Sequence, residues 1–216
     1  LVSPADPLDQ TPYTLPLPPA ASPEAIRQAA QLLTQAQRPL IAIGGGCIKA
    51  ASQLLALAEK IGAPVVNTVN AKGVMPYSHP LAVGGSGSCP AIRTEFERAD
   101  VVLAVGTEFA ETDYDFFFNG GFKLDGQLIR VDIDATQLAR NVRPALAIQS
   151  DAKAAVQALL PHLTMSKRDG ARRTRDTLSA VTEHHPDYQH FLDSLQQSLP
   201  DCIVIGDSTQ PAYFAA

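Results

Sequence analysis

The chain has 216 residues, a hydrophobic fraction of 45% and a formal net charge of −5 at pH 7. That length suits one domain with extensions, and the negative balance argues against a nucleic-acid partner, which favours a basic face. No apolar run reaches bilayer-spanning length, so no membrane partner is expected. The three cysteines, Cys47, Cys89 and Cys202, lack metal-ligand spacing. Neither a metal site nor a disulfide framework is expected of them, and a reducing, cytoplasmic location fits.

Residues 1–22 are rich in proline, from Pro4 to Pro19, with no helical period. They read as an extended linker that leads in from a preceding domain, with no signal peptide at its start. Ser22-Pro23-Glu24 then opens a helix: a serine cap, a proline at the first turn and an acidic residue at the positive helix end. Ile26, Ala29, Ala30 and Leu33 form its apolar face. Strands and helices alternate from there. Strands are expected at Leu40–Ile43, Pro64–Asn67, Val101–Val105, Gln127–Asp132 and Ala145–Gln149. The intervening helices carry Leu54, Leu57, Ala58 and Ile61, then span Ala91–Ala99 and Thr136–Asn141, and Asp151 caps one that runs to Leu160. Near-continuous apolar strands between amphipathic helices predict a parallel sheet covered on both faces.

Thr164 to Arg175 is polar and basic and reads as a solvated connector into one or two helices, the last near Tyr188 to Leu199. Pro200 stops that helix. Asp201 to Ile205 reads as a fresh strand, followed by Gly206-Asp207-Ser208-Thr209-Gln210-Pro211. The expectation is a second α/β domain that continues beyond this sequence.

Gly44-Gly45-Gly46 lies between a strand and a helix, where backbone N–H groups can bind phosphate. The dinucleotide fingerprint is incomplete, because Lys49 stands where its third glycine belongs and the second strand ends in Asn67-Thr68 with no acidic residue. A tight turn that packs helix on sheet is the simpler reading. Gly84 to Ser88 is a second glycine-rich loop, weak evidence alone. Glu108, Glu111, Asp113 and Asp115 crowd the loop after Val101–Val105. That loop lies beyond the C-terminal end of a parallel strand, the edge where open α/β sheets bind ligands. The five histidines have no acidic or cysteine partner at ligand spacing and read as structural or surface residues.

The order of these pieces resembles the central domain of the thiamine-diphosphate-dependent acetolactate synthase and 2-oxo-acid decarboxylase family. The resemblance is carried by Arg38-Pro39 and Gly44-Gly45-Gly46 around the first strand, and by Gly62-Ala63-Pro64-Val65 before the second. Gly73, Pro76, His79 and Pro80 follow as G-x-x-P-x-x-H-P. Ala99-Asp100-Val101 through Gly106, Ile129 through Asp134, and Asp151 with its helix complete the series. Asp201 to Ala216 resembles the start of the family's diphosphate-binding domain, with Asp207 and Gln210 at matching positions, Thr209 in place of a glycine and Pro211 in place of a histidine.

The resemblance implies a Rossmann-like α/β domain with a doubly wound, mostly parallel six-stranded sheet. It implies a linker at 1–22, a central domain at 23–163, connector helices at 164–200 and the start of a diphosphate-binding domain at 201–216. The longer enzyme would act on a small-molecule 2-oxo acid with thiamine diphosphate and Mg²⁺, as a homodimer or homotetramer. Asp207, Ser208, Thr209 and Gln210 would face thiamine diphosphate. Gly44, Gly45, Gly46, Thr68, Gly106, Asp132 and Asp151 would line a groove for an ADP-like nucleotide. Neither a catalytic residue nor a metal ligand is expected in this chain, which alone would be inactive. FAD is not expected, since Glu108 stands where the family places an arginine and a carboxylate repels an anionic dinucleotide. Glu108, Glu111, Thr112 and Asp113 would rim the substrate channel. Together with Asp115 they put four carboxylates in that loop, which favours a cationic substrate, such as 5-guanidino-2-oxopentanoate, over an anionic one. The alternative is a stand-alone nucleotide-binding or deacetylase-like module, since such proteins share this architecture.

Overall fold

The computed structural model describes residues 16–85, 87–117, 121–184 and 186–206. Five parallel strands form one sheet in the order β2-β1-β3-β4-β5. They are β1 (Pro39–Ile43), β2 (Val65–Asn67), β3 (Val101–Val105), β4 (Gln127–Asp132) and β5 (Leu146–Gln149). β1 and β3 are entirely buried, as strands covered on both faces must be.

Alternation along the strands feeds two cores. Ile41, Ile43, Leu103, Val105, Ile129 and Val131 point to one face. There they meet α1 (Pro23–Gln35), α2 (Ala51–Ile61) and α5 (Ala152–Leu159), whose buried stripes supply Leu33, Leu57 and Val156. Leu40, Ala42, Val102, Ala104 and Leu128 point to the other face, against Ile92 and Phe96 of α3 (Pro90–Arg98). The second face is the aromatic one. Phe109 stacks on Tyr114 with ring centroids 4.5 Å apart, and Phe122 packs edge-on to Phe96 at 5.0 Å.

The sheet has five strands and not the expected six, and the separate strand expected at Asp201–Ile205, as the start of a second domain, is not formed. Cys202–Gly206 forms no strand, and Ile203, Val204 and Ile205 are 90%, 60% and 92% exposed. An apolar run becomes a strand only beside a partner edge, and 202–206 pairs with no strand among the described residues. The position beside β2 is taken instead by 81–85. Val65 N–H donates to Leu81 O at 2.8 Å, Val83 N–H to Val65 O at 2.9 Å and Asn67 N–H to Gly85 O at 3.1 Å. The bridge Val65–Ala82 is parallel, like the rest of the sheet. The stretch after Thr136 is a short 3₁₀ turn, Gln137–Ala139, rather than a helix to Asn141.

The segment 164–175 is also more firmly held than a solvated connector. Arg168 donates to Ile61 O at 2.8 Å, Leu33 O at 3.1 Å and Thr34 O at 3.0 Å. It thereby satisfies terminal carbonyls of both α1 and α2. Arg173 and Thr174, in α6 (Gly170–His184), are buried. The last helix, α7 (Pro186–Ser198), has no buried residue.

Two sequence motifs have plain structural work. Asp100 accepts the N–H groups of Gln37 and Arg38 at 2.5 and 2.9 Å, which fixes the entry to β1. Gly126 lets β4 start against that turn, since a Cβ there would lie 2.2 Å from Ala99 O.

Candidate functional site

In the order 2-1-3-4-5 the chain reverses its direction of growth between β1 and β3, and open α/β sheets bind ligands at the carboxyl ends around that point. Gly44 follows β1, Thr68 follows β2, Gly106 follows β3, Asp132 ends β4 and Asp151 lies two residues past β5. The fold therefore gathers all the residues expected in a nucleotide groove along one edge.

Their contacts are largely internal. Gly44 N–H donates to Val105 O and Gly46 N–H to Gly106 O, both at 3.1 Å. A Cβ on Gly44 would lie 2.3 Å from Gly106 O, and one on Gly106 would lie 2.8 Å from Gly46 Cα. The glycines let two loop backbones touch, and two of the three N–H groups that would cradle a phosphate are already engaged. Thr68 N–H donates to Ile43 O at 3.0 Å. Asp151 is the N-cap of α5, accepting Ala154 N–H at 2.9 Å.

Asp132 is buried and accepts Asp134 N–H at 3.0 Å. Burial raises its carboxyl above the usual range, with the Asp134 N–H bond and the Arg130 charge opposing. Between these loops lies Cys47, whose thiol donates to Val105 O at 3.1 Å. Burial pushes it up to about 12, and the charges of Asp132 and Asp151 add to the rise. It is a packing residue, since reactivity needs the thiolate.

The acidic loop after β3 holds the most elaborate geometry. Glu108 and Glu111 share one partner, Arg140, at 3.3 and 3.2 Å. Asn141 Nδ2 donates to Glu111 Oε1 at 3.1 Å and to Phe109 O at 2.7 Å. The Glu111 carboxyl is held low by its own backbone N–H first, then by Asn141. Asp115 is buried against Arg93 at 3.2 Å. Asp113 has no ion-pair partner among the described residues, and burial, then the Glu108 charge, raises its carboxyl. Thr112 is exposed in the short helix α4 (Glu111–Tyr114). The loop is thus less acidic than its composition, since one arginine meets two of its carboxylates and offsets one of their charges. That arginine also offsets the repulsion that Glu108 would exert on an anionic dinucleotide.

Sequence reasoning missed Arg140, Asn141 and Arg130. Arg130 carried a signal: one cation inside the apolar run Leu128-Ile129-Arg130-Val131. Arg140 and Asn141 carried none, because their partners lie some thirty positions earlier.

The residues assigned to thiamine diphosphate, Asp207, Ser208, Thr209 and Gln210, lie outside the described residues. Among the described residues no three His, Cys, Asp or Glu side chains group as a metal site, and no helix is long and apolar enough to cross a membrane.

The doubly wound sheet with its loops at the carboxyl edge defines a Rossmann-like α/β domain. The family described as "Thiamine pyrophosphate enzyme, central domain" matches residues 26–159, and the chain belongs to it. The chain is 40% identical over 199 residues to the probable 2-ketoarginine decarboxylase AruI of Pseudomonas aeruginosa, covering 88% of this chain and 35% of that protein. It is 34% identical over 145 residues to acetolactate synthase isozyme 1 large subunit of Escherichia coli, covering 66% of this chain and 25% of that one. The crystal structure of benzoylformate decarboxylase from Polynucleobacter necessarius superposes with a TM-score of 0.62 at 19% identity, over 77% of this chain and 32% of that chain. The chain thus spans about a third or less of the length of these relatives.

Proposed function

We propose that this chain is the central domain of a thiamine-diphosphate-dependent enzyme that decarboxylates a cationic 2-oxo acid, with 5-guanidino-2-oxopentanoate as the substrate of choice. The observation that carries the proposal is the 40% identity, over 88% of the chain, to a protein named as a probable 2-ketoarginine decarboxylase. When bound, thiamine diphosphate supplies the electron sink for decarboxylation, held with Mg²⁺ by residues outside the described ones. The longer enzyme is proposed to be a cytoplasmic homodimer or homotetramer.

The role of this chain's residues is at the rim. Glu108 and Glu111 are spaced so that one guanidinium, that of Arg140, meets both. Asp113 adds a carboxylate that has no cation beside it among the described residues. Such a loop raises the local concentration of a cationic substrate and disfavours anions. An ADP-like nucleotide would have to be held by side chains of the carboxyl edge, since Gly44 and Gly46 spend their N–H groups on β3 and its loop. Flavin is not proposed.

The test is a substrate panel on the intact enzyme, comparing pyruvate with 5-guanidino-2-oxopentanoate, repeated on Glu111→Gln. Preference for the guanidino acid is expected, with kcat/KM falling about tenfold on loss of one charge-assisted contact. A clear preference for pyruvate would point to an acetolactate synthase and end the proposal. So would an unchanged kcat/KM in the variant.

A further inference from the structure

Arg130 is the largest fully buried side chain of the described structure, 1% exposed, on a strand whose other buried positions are apolar except for Asp132 at its end. Taking a guanidinium out of water is costly unless its donors and charge are met. Here they are met by two loops. Arg130 Nη2 donates to Thr107 O at 3.0 Å, and Nη1 to Arg140 O at 2.7 Å. The guanidinium lies 4.8 Å over the Phe109 ring, a cation–π contact. Thr107 opens the acidic loop, Phe109 sits inside it, and Arg140 is the residue that pairs with Glu108 and Glu111.

The backbone held this way is strained. Phe109, Asp115 and Asn141, at φ 54, 51 and 60°, are the positive-φ residues other than glycine among those described. All three belong to the acidic loop or to the turn that clamps it. Such conformations are costly and persist only where the surroundings over-determine them. Phe109 is anchored by burial and by Asn141, and Asn141 in turn follows Arg140, whose carbonyl Arg130 holds.

We infer that Arg130 is a positioning residue for substrate selectivity: its buried fork ties Thr107 to Arg140 and so sets where Glu108, Glu111 and Asp113 stand at the channel rim. This rests on the proposed function for its kinetic consequence, though not for its structural one. The fork is essential, because a lysine ammonium is a point charge that cannot hold two separated carbonyls in a fixed plane.

The test uses Arg130→Met, which keeps an unbranched stem, and Arg130→Lys, which keeps the charge. In the intact enzyme the ratio of kcat/KM for 5-guanidino-2-oxopentanoate to that for 2-oxohexanoate is followed. In Arg130→Met it is expected to fall about tenfold, carried by KM, the scale of one lost charge-assisted contact. Arg130→Lys is expected to recover less than half of that loss in free energy. Hydrogen exchange is followed in parallel at amides 107–116 and 140–142, with β1 as the internal control. Exchange is expected to quicken at the two loops and to hold at β1. Equal losses on both substrates, full rescue by lysine, or uniform quickening that includes β1 would mark Arg130 as a core residue only and overturn the inference. If the unaltered enzyme ignores the guanidino acid, the proposed function fails. The exchange pattern then decides the role of Arg130 by itself: quickening confined to the two loops sustains it, and any other pattern overturns it.

Discussion

Arg173 presents Nε and Nη2 to one oxygen of Glu95, at 2.9 and 2.6 Å, with both side chains buried. Its Nη1 donates to Pro39 O at 3.0 Å, so the first residue of β1 is held as well. The pair fastens α6 to α3 and to the sheet. Removing Glu95 leaves the Arg173 charge buried without an acidic partner, a loss of roughly 3–5 kcal/mol. Glu95→Gln is therefore expected to lower the urea midpoint sharply. The double change Glu95→Leu with Arg173→Leu is expected to cost less than the sum of the single ones, as a double-mutant cycle would show.

Gly44 and Gly106 test whether the glycine-rich turn is a packing device. Gly44→Ala would drive a methyl to 2.3 Å from Gly106 O, a backbone atom that cannot swing aside. A loss of at least about 2 kcal/mol is expected from such overpacking. Gly73→Ala is the control: its φ is +82° but nothing lies within 4 Å of the added Cβ. There only the left-handed conformation resists, at roughly 1–2 kcal/mol. Equal costs at the two sites in chemical denaturation would remove the packing argument.

Asp113 gives a pH dependence of opposite sign to the usual buried-carboxylate pair. Its carboxyl is raised from 3.8 by burial, then by Glu108. A raised carboxylate binds its proton more readily in the folded state, so its charge opposes folding above the folded pKa. The opposition fades as pH falls and is gone below 3.8, where both states are protonated. Asp113→Asn should therefore raise Tm at neutral pH, by less than about 4 °C for a chain of this size. The gain should vanish toward pH 3.8. A gain that persists unchanged at that pH would refute the assignment.

Asn141 separates backbone strain from hydrogen bonding in the clamp on Glu111. Its φ is 60° and its amide serves Glu111 and Phe109 together. Asn141→Gly keeps the conformation easy and loses the two bonds, whose net worth is about 1 kcal/mol each. Asn141→Ala loses the bonds and also meets the left-handed penalty, about 1–2 kcal/mol more. Thermal unfolding should therefore rank the wild type above glycine and glycine above alanine.

Much of the architecture was legible without coordinates. Each of Leu40–Ile43 and Val101–Val105 is too apolar to face water on either side, which demands a parallel sheet between two helical layers. The glycines, Asp100 and Asp151 stood at element boundaries where their conformational freedom or capping oxygens are useful, and the structure puts them to that use. The acidic loop was legible as a place, because it follows a strand at the carboxyl edge. Its electrostatics were not. Composition shows four carboxylates between Glu108 and Asp115, yet Arg140 and Arg93 reach three of them from distant parts of the chain. The separate strand expected at Asp201–Ile205 failed for the same kind of reason. Local apolarity marks both Leu81–Val83 and Ile203–Ile205, but a strand exists only where a neighbouring edge offers hydrogen bonds. β2 offers that edge to the first, and the second pairs with no described strand. Periodicity and caps act within a few residues, so the sequence by itself determined the elements and the faces they bury. Ion pairs and strand edges act between segments far apart in the chain, so only the tertiary structure decided which charges are met and which apolar run joins the sheet.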